Sequence, residues 1–503
     1  MNSIRQIRHA SRCPLCLVLA LTLLAGCGGS SGSSATTPPN PAPLSADNAN
    51  LIFVVSEDLA YQAQGDVNSS TANLTDRGLQ RSLRMAGFLQ QHVLGTENVT
   101  GVYALESMTH LQTANNYPDM VAIETVQQFA LLNQITLLTE PPPINALYTG
   151  NSYPINASYA SGALPTAVAT PTPCPSCQGL DFQDQGGDNE ALVTGIITAS
   201  PRAPGFYVFS APWETTSVLL ENINKLEEYN LTLPASYKGP NYIYAISISP
   251  SGNARLVTYN SHVNPPSTYP ALPAPVPLSS SCTMQTLFSV EVTGGQNNAV
   301  VPPRINTNET LYIVRHADAH PRPLWTDGNY VCAGQWRALD IPNVLSGYIA
   351  PQQVYSSDPA QTSPGFVNSY SGIAPALTVE PYAIANNLPY GLAASFSPSD
   401  ENGAQESSDF FFGTQFTNIT GPDFSNQTVL LAWSYQFIAP MVNALISSYF
   451  PPGTTLPEVP SWPDNDYDTV WTVTLDAQGN MAVNNAMCEG IDSAALPATC
   501  PQF

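Results

Sequence analysis

Two stretches of this chain read alike. Residues 243–253 alternate apolar and polar side chains and close on Gly252-Asn253; residues 470–480 do the same and close on Gly479-Asn480. Alternation of period two followed by Gly-Asn marks a strand entering a hairpin. The elements upstream also repeat in order. Leu51-Ile52-Phe53-Val54-Val55 is answered by Leu311-Tyr312-Ile313-Val314. Helices open at Leu74-Thr75-Asp76-Arg77-Gly78 and at Tyr330-Val331-Cys332-Ala333-Gly334, with Arg81 in the place of Arg337. Gly101-Val102-Tyr103-Ala104 then matches Gln353-Val354-Tyr355-Ser356. Residues 206–211 run to Trp213 as residues 428–432 run to Trp433, and each Trp leads into a helical pattern. The shared order is strand, helix, strand, helix, strand, helix, strand. It implies an α/β chain of two tandem three-layer αβα units with mainly parallel sheets.

The expected units span residues 48–264 and 305–503. A connecting segment, 265–304, opens with a Pro-rich linker at 265–277. A Pro-, Gly- and Ala-rich stretch near 140–200 reads as a long insertion in the first unit.

Residues 1–26 read as a secretory leader. Arg5, Arg8 and Arg12 precede an apolar run at 15–24, which ends in Leu24-Ala25-Gly26-Cys27. That ending looks like a bacterial lipobox, which implies lipidation of Cys27. The run is too short to span a bilayer comfortably. Residues 28–47 carry almost no large side chains and read as a flexible tether. The expected location is the bacterial outer membrane, by a lipid anchor, facing the periplasm or the cell surface.

Charge narrows the partners. The chain has 37 acidic and 14 basic residues, and three of the basic ones lie in the leader. Such a balance argues strongly against nucleic acid and anionic lipid surfaces as ligands. After the leader and Cys27, six cysteines remain: Cys174, Cys177, Cys282, Cys332, Cys488 and Cys500. An even number in an exported chain implies disulfides of undetermined pairing. Cys174-Pro175-Ser176-Cys177 lacks a second zinc half-site and a βα context, so a local bridge is favoured over zinc or redox chemistry.

The chemistry concentrates where the strand Leu311-Tyr312-Ile313-Val314 ends in Arg315-His316-Ala317-Asp318-Ala319-His320. A cation and an imidazole stand at the mouth of a buried strand, where open α/β sheets bind ligands. Asp318 is placed to accept from the imidazole N–H and fix its tautomer. The Arg-His pair resembles the Arg-His-Gly signature of the histidine phosphatase, or phosphoglycerate-mutase-like, superfamily. Leu74-Thr75-Asp76-Arg77-Gly78-Leu79-Gln80, Leu111-Gln112-Thr113-Ala114 and residues 428–433 resemble further segments of that family. The resemblance covers most of residues 48–265 and 305–485. It implies His316 as the phosphoryl-accepting nucleophile, Arg315 and Arg322 as phosphate-binding groups, and Asp358 as the acid.

Three departures stand against the family pattern. Ala317 replaces Gly. No Arg follows Ser356-Ser357-Asp358-Pro359. Ser434-Tyr435 follows Trp433 where the family has Glu-His, which leaves Tyr435 as a phosphate hydrogen-bonding group without an imidazolium. The first unit keeps less: Ser56-Glu57-Asp58 follow Val55, with Thr109 and Thr215 at the places of the second Arg and second His. Its mouth is acidic and repels phosphate. His110, near a strand end, reads as a loop residue or a ligand-facing one, and His320 as a solvated loop residue or a displaced partner for His316. No phosphate-binding P-loop, dinucleotide Gly motif, HExxH or nucleophile elbow is present, so no cofactor and no metal are expected.

Three functions compete. One is a non-catalytic or weakly active protein that binds a phosphorylated small molecule or a protein partner. The second is a phosphomonoester hydrolase using His316. The third is a structural cell-envelope lipoprotein.

Overall fold

The computed structural model describes residues 39–61, 65–132, 136–138, 147–149, 153–157, 178–184, 187–199, 202–279, 282, 286–319, 327–364, 369–393, 402–417 and 419–503. The expected leader, Cys27, Cys174, Cys177, His320 and Arg322 lie outside these residues. Residues from Asn40 to Phe503 form one compact α/β unit holding two large sheets.

The first sheet is built from β1 (Ala49–Val55), β2 (Gly101–Ala104), β3 (Ile155–Asn156), β4 (Gly205–Ala211), β5 (Tyr242–Ile248) and β6 (Ala254–Asn260). The second contains β7 (Ser289–Val292), β8 (Glu309–Arg315), β9 (Gln353–Ser357), β10 (Tyr390–Ala393), β11 (Thr428–Trp433), β12 (Thr469–Leu475) and β13 (Met481–Cys488). The strand order is β6-β5-β1-β4-β2-β3 in one and β7-β13-β12-β8-β11-β9-β10 in the other. In each sheet the four central and outer strands on one side run parallel, and the closing hairpin, β5-β6 or β12-β13, is antiparallel. With β7 set aside, the two orders correspond strand for strand.

Sequence explains the central strands directly. β1 and β4 are buried at every position, which demands apolar runs rather than alternation. Helices α1 (Asp76–Phe88), α2 (Val121–Leu132), α3 (Asp188–Thr198) and α4 (Trp213–Leu226) belong to the first half. Helices α5 (Cys332–Leu345), α6 (Ala374–Asn386), α7 (Gly403–Phe412) and α8 (Tyr435–Ser448) belong to the second. They pack in pairs, α1 on α2, α3 on α4, α5 on α6 and α7 on α8. The Thr75 hydroxyl caps α1 by accepting from the Gly78 amide, with Asp76 favourably placed in the first turn.

Glycine is required where α1 and α5 meet the preceding loops. A Cβ on Gly78 would lie 2.2 Å from the Asp66 carbonyl oxygen, and one on Gly334 would lie 2.4 Å from that of Asp318. Three helix residues on, Arg81 Nε pairs with Asp66 Oδ2 at 2.5 Å and Arg337 Nε with Asp318 Oδ2 at 2.6 Å.

Several boundaries differ from the sequence reading. The flexible tether was expected to reach residue 47, but Asn40 exchanges side-chain hydrogen bonds with Asn260 on edge strand β6, and Leu44 is buried. The 140–200 stretch contributes β3 and α3. The connecting segment contributes β7, which pairs with β13. Its Pro-rich part is anchored too: Tyr269 donates its hydroxyl to the Leu339 carbonyl at 2.9 Å. Tyr269, Leu272 and Phe503 pack against Leu79, Leu83, Val121, Leu339 and Ile384, so α1, α2, α5 and α6 meet in an apolar seam between the halves.

Disulfides join Cys282 to Cys488 and Cys332 to Cys500. Among the described residues no helix is long and apolar enough to cross a membrane.

Candidate functional site

Parallel pairing brings three strand ends to one edge of the second sheet. Arg315 lies opposite Trp433 in the β8-β11 pair, and β9 flanks β11 on its other side. Strand spacing puts the ends of β8 and β9 about 10 Å apart. His316 and Asp358 leave those two ends, and Tyr435 opens α8 just beyond β11.

Arg315 is 2% exposed. Its guanidinium carbon lies 3.8 Å from the centroid of the Tyr467 ring and 4.3 Å from that of Tyr435. Nη1 donates to the carbonyls of Asp464 (2.8 Å), Asp466 (3.2 Å) and Pro463 (3.4 Å). Cation–π contact and charge-assisted hydrogen bonds therefore hold the cation within the protein. Burial lowers its proton affinity, against the fields of Tyr467, Tyr435, Asp318 and Asp466.

His316 is half-buried, and its backbone amide donates to the Trp433 carbonyl at 3.0 Å. Nδ1 is 2.9 Å from the Ala317 carbonyl oxygen. A donated Nδ1–H at that carbonyl puts the imidazole lone pair on Nε2. Ala317 is itself fixed, since its amide donates to Thr378 Oγ1 at 2.8 Å and that hydroxyl donates to the Ala374 carbonyl at 2.7 Å. Helix α6 thus sets the imidazole's support.

Asp318 was expected to orient His316. Its carboxylate instead pairs with Arg337, and the Ala317 carbonyl makes the bond to Nδ1. Arg337 is fully buried and also reaches Glu489 Oε2 at 2.5 Å and Ser493 Oγ at 2.6 Å. Burial opposes its charge, but Asp318 and Glu489 together hold it protonated. Asp318 is a structural partner of α5.

Asp358 is 1% exposed, and its Oδ1 accepts from the Ala360 amide at 2.9 Å. Burial, only partly offset by that bond, pushes its carboxyl up to about 7. It is therefore an acid that still carries its proton under mildly acidic conditions. Tyr435 presents its ring to Arg315.

Sequence reasoning missed Tyr467, Thr378 and the role of Arg337. The match of Arg81 to Arg337 was the one available signal, because both anchor an Asp. Tyr467 sits in a loop without periodicity and is recruited only by the folded chain.

The matching edge of the first half is acidic. The Tyr237 hydroxyl donates to Glu57, and Asp58 Oδ1 accepts from the amides of Ala60 and Tyr61 at 2.8 and 2.9 Å. Thr109 and Thr215 donate their hydroxyls to the carbonyls of Glu106 and Phe182. His110 Nδ1 meets Asp119 Oδ2 at 2.9 Å, and the imidazole stacks on Phe182. Burial disfavours its charge, but Asp119, Asp58 and Glu214 raise its proton affinity. Among the described residues no group of three or more His, Cys, Asp or Glu is placed to hold a metal ion.

No family model matches this chain, and no curated protein matches it. Among the solved structures that show weak similarity are two phosphatase or hydrolase chains. The protein histidine phosphatase SixA complexed with tungstate matches at 20% identity and a TM-score of 0.22, covering 36% of this chain and 97% of its own. Mycobacterial hydrolase 2 matches at 11% identity and a TM-score of 0.19, covering 40% and 93%.

Proposed function

We propose that this chain is an exported, lipid-anchored protein made of two degenerate histidine-phosphatase-like units. Its second half binds a phosphorylated small molecule at His316 and turns it over weakly or not at all. The observation that carries this reading is the confinement of Arg315. Phosphoryl transfer needs cations on the equatorial oxygens, in place before the reaction. Here that cation is held by three carbonyls and two tyrosine rings. With Nδ1–H on the Ala317 carbonyl, the protonated form of His316 offers an anion the Nε2–H, and the neutral form offers only an acceptor there. The absence of a second His at Tyr435 and of an Arg after Asp358 points the same way.

A second reading, slow phosphomonoester hydrolysis, is favoured by Asp358. Its raised carboxyl suits a general acid near neutral pH.

One experiment separates the readings. Binding of inorganic phosphate and hydrolysis of a chromogenic phosphomonoester are measured between about pH 4 and 8, in the wild type and in His316→Ala. The binding reading expects saturable phosphate binding, weakened roughly tenfold in the variant, or about 1.4 kcal/mol. Turnover abolished by His316→Ala shifts the assignment to the hydrolase. No phosphate binding by the wild type leaves the structural lipoprotein.

A further inference from the structure

Several hydrogen bonds cross the seam between the halves, although Gln127 Oε1, Asn329 Nδ2 and Gln335 Oε1 are buried without a partner among the described residues. Gln127 Nε2 on α2 donates to Asn329 Oδ1 at 2.8 Å, and Gln335 donates to Gln128 Oε1. Gln128 Nε2 donates to the Pro501 carbonyl at 3.2 Å, and Asn73 Nδ2 to that of Leu388 at 2.9 Å. One contact is of another kind. Glu124 on α2 and Glu380 on α6 interact across the seam, carboxyl to carboxyl. Glu124 is 5% exposed and Glu380 is 0% exposed.

Among the described residues neither oxygen of Glu380 receives a hydrogen-bond donor, and the charge that bears on it most is that of the Glu124 carboxyl. Two carboxylates have no proton to share and repel each other, and each buried unpaired charge costs several kcal/mol (order of magnitude). A single proton between them removes one charge and supplies the donor, as in carboxyl dyads. The titratable groups whose fields meet the pair are Asp119 ahead of α2, Tyr330 ahead of α5, Tyr269 of the connecting segment and Tyr390 of β10. All are acids or phenols, and no described cation is among them. Burial first, then the Glu124 carboxyl and Asp119, raise the proton affinity of Glu380 well above the carboxylate range. Burial raises that of Glu124 too. The two residues are placed alike, each behind a β-branched side chain (Ile123 or Val379) in the second helix of its half.

We propose that Glu124 and Glu380 share one proton as a clasp between α2 and α6, and that losing it loosens the two halves, so that the closed molecule is favoured by acid. The direction follows from linkage. A carboxyl raised in the folded state contributes stability that is complete below its unfolded value. That contribution is lost as pH rises through the folded value.

The test is amide hydrogen exchange, corrected for its intrinsic pH dependence, together with thermal unfolding at pH 5 and pH 8. In the wild type, α2 and α6 lose protection relative to β1 and β8 at the higher pH. The double variant Glu124→Gln, Glu380→Gln puts amides in the seam that neither titrate nor repel. Relative to wild type, its unfolding temperature is higher at pH 8 than at pH 5 by about 2 °C or more, and its helices keep their protection. Equal temperature shifts at both pH values overturn the proposal. So does a wild type in which α2 and α6 hold their protection relative to the strands. The wild-type measurement stands alone if the double variant does not fold.

Discussion

Asp358 and Asp318 are both buried acids beside a ligand-facing edge, and their surroundings give them opposite tasks. Asp318 has a cation at 2.6 Å, and its task is structural. Asp358 has one backbone amide and no cation among its perturbing groups, so burial holds its proton up to about 7. Its folded value lies above its unfolded one. Its contribution to stability is therefore complete below about pH 4 and is lost as pH rises through about 7, by at most roughly 1.4 kcal/mol per unit. Asp358→Asn is expected to gain stability over wild type at pH 8 and not at pH 4, read by denaturant titration at both. If the hydrolase reading holds, the same variant also loses the alkaline decline of turnover. The sequence put Arg315, His316 and Asp358 at strand ends, and in the structure Arg315 closes β8 while His316 and Asp358 come just after β8 and β9. It misplaced Asp318 because nearness along the chain favoured His316. The true partner, Arg337, stands a helix turn into α5, and only tertiary folding brings the two together.

At the scale of elements, the loop carrying His316 is held from two sides. Thr378 of α6 receives the Ala317 amide, and Gly334 of α5 lies against the Asp318 backbone. A methyl group at Gly334 meets a carbonyl oxygen at 2.4 Å, and backbone cannot rotate aside. Gly334→Ala is therefore expected to destabilise the protein by about 1–3 kcal/mol and to weaken any ligand that needs His316. Chemical denaturation and phosphate titration of the variant check both parts. Unchanged affinity would show that α5 does not position the imidazole. Long elements were readable from pattern: β1 and β4 as apolar runs, α1 from its helical spacing. The edge strands β3 and β7 were not, because two to four residues carry no measurable period. They are strands by virtue of β2 and β13, their neighbours in space.

Residues 40–503 hold two large sheets of matching strand order, and helices α1, α2, α5 and α6 beside them meet in an apolar seam that also holds two buried carboxyls. The order of elements in the sequence implied a mixed α/β chain, which is what the strands and helices form. It gave no hint of the seam, whose residues are scattered over α1, α2, α5, α6 and the Pro-rich segment. The caged Arg315 has a last consequence, which is kinetic. A cation walled in by tyrosine rings and carbonyls projects little field into solvent, while 37 acidic residues against 14 basic ones set the long-range potential. An approaching phosphomonoester is repelled on the way in. Its association rate, followed by stopped-flow with a fluorescent phosphomonoester, should climb as salt is raised from about 10 to about 150 mM, because screening removes a barrier. A rate that falls with salt would mean that the ligand is steered by a cation other than Arg315. If the rate climbs with salt, arrival at this site is diffusion against a charge barrier, and any affinity the protein has for phosphate must reside in how slowly the ligand leaves.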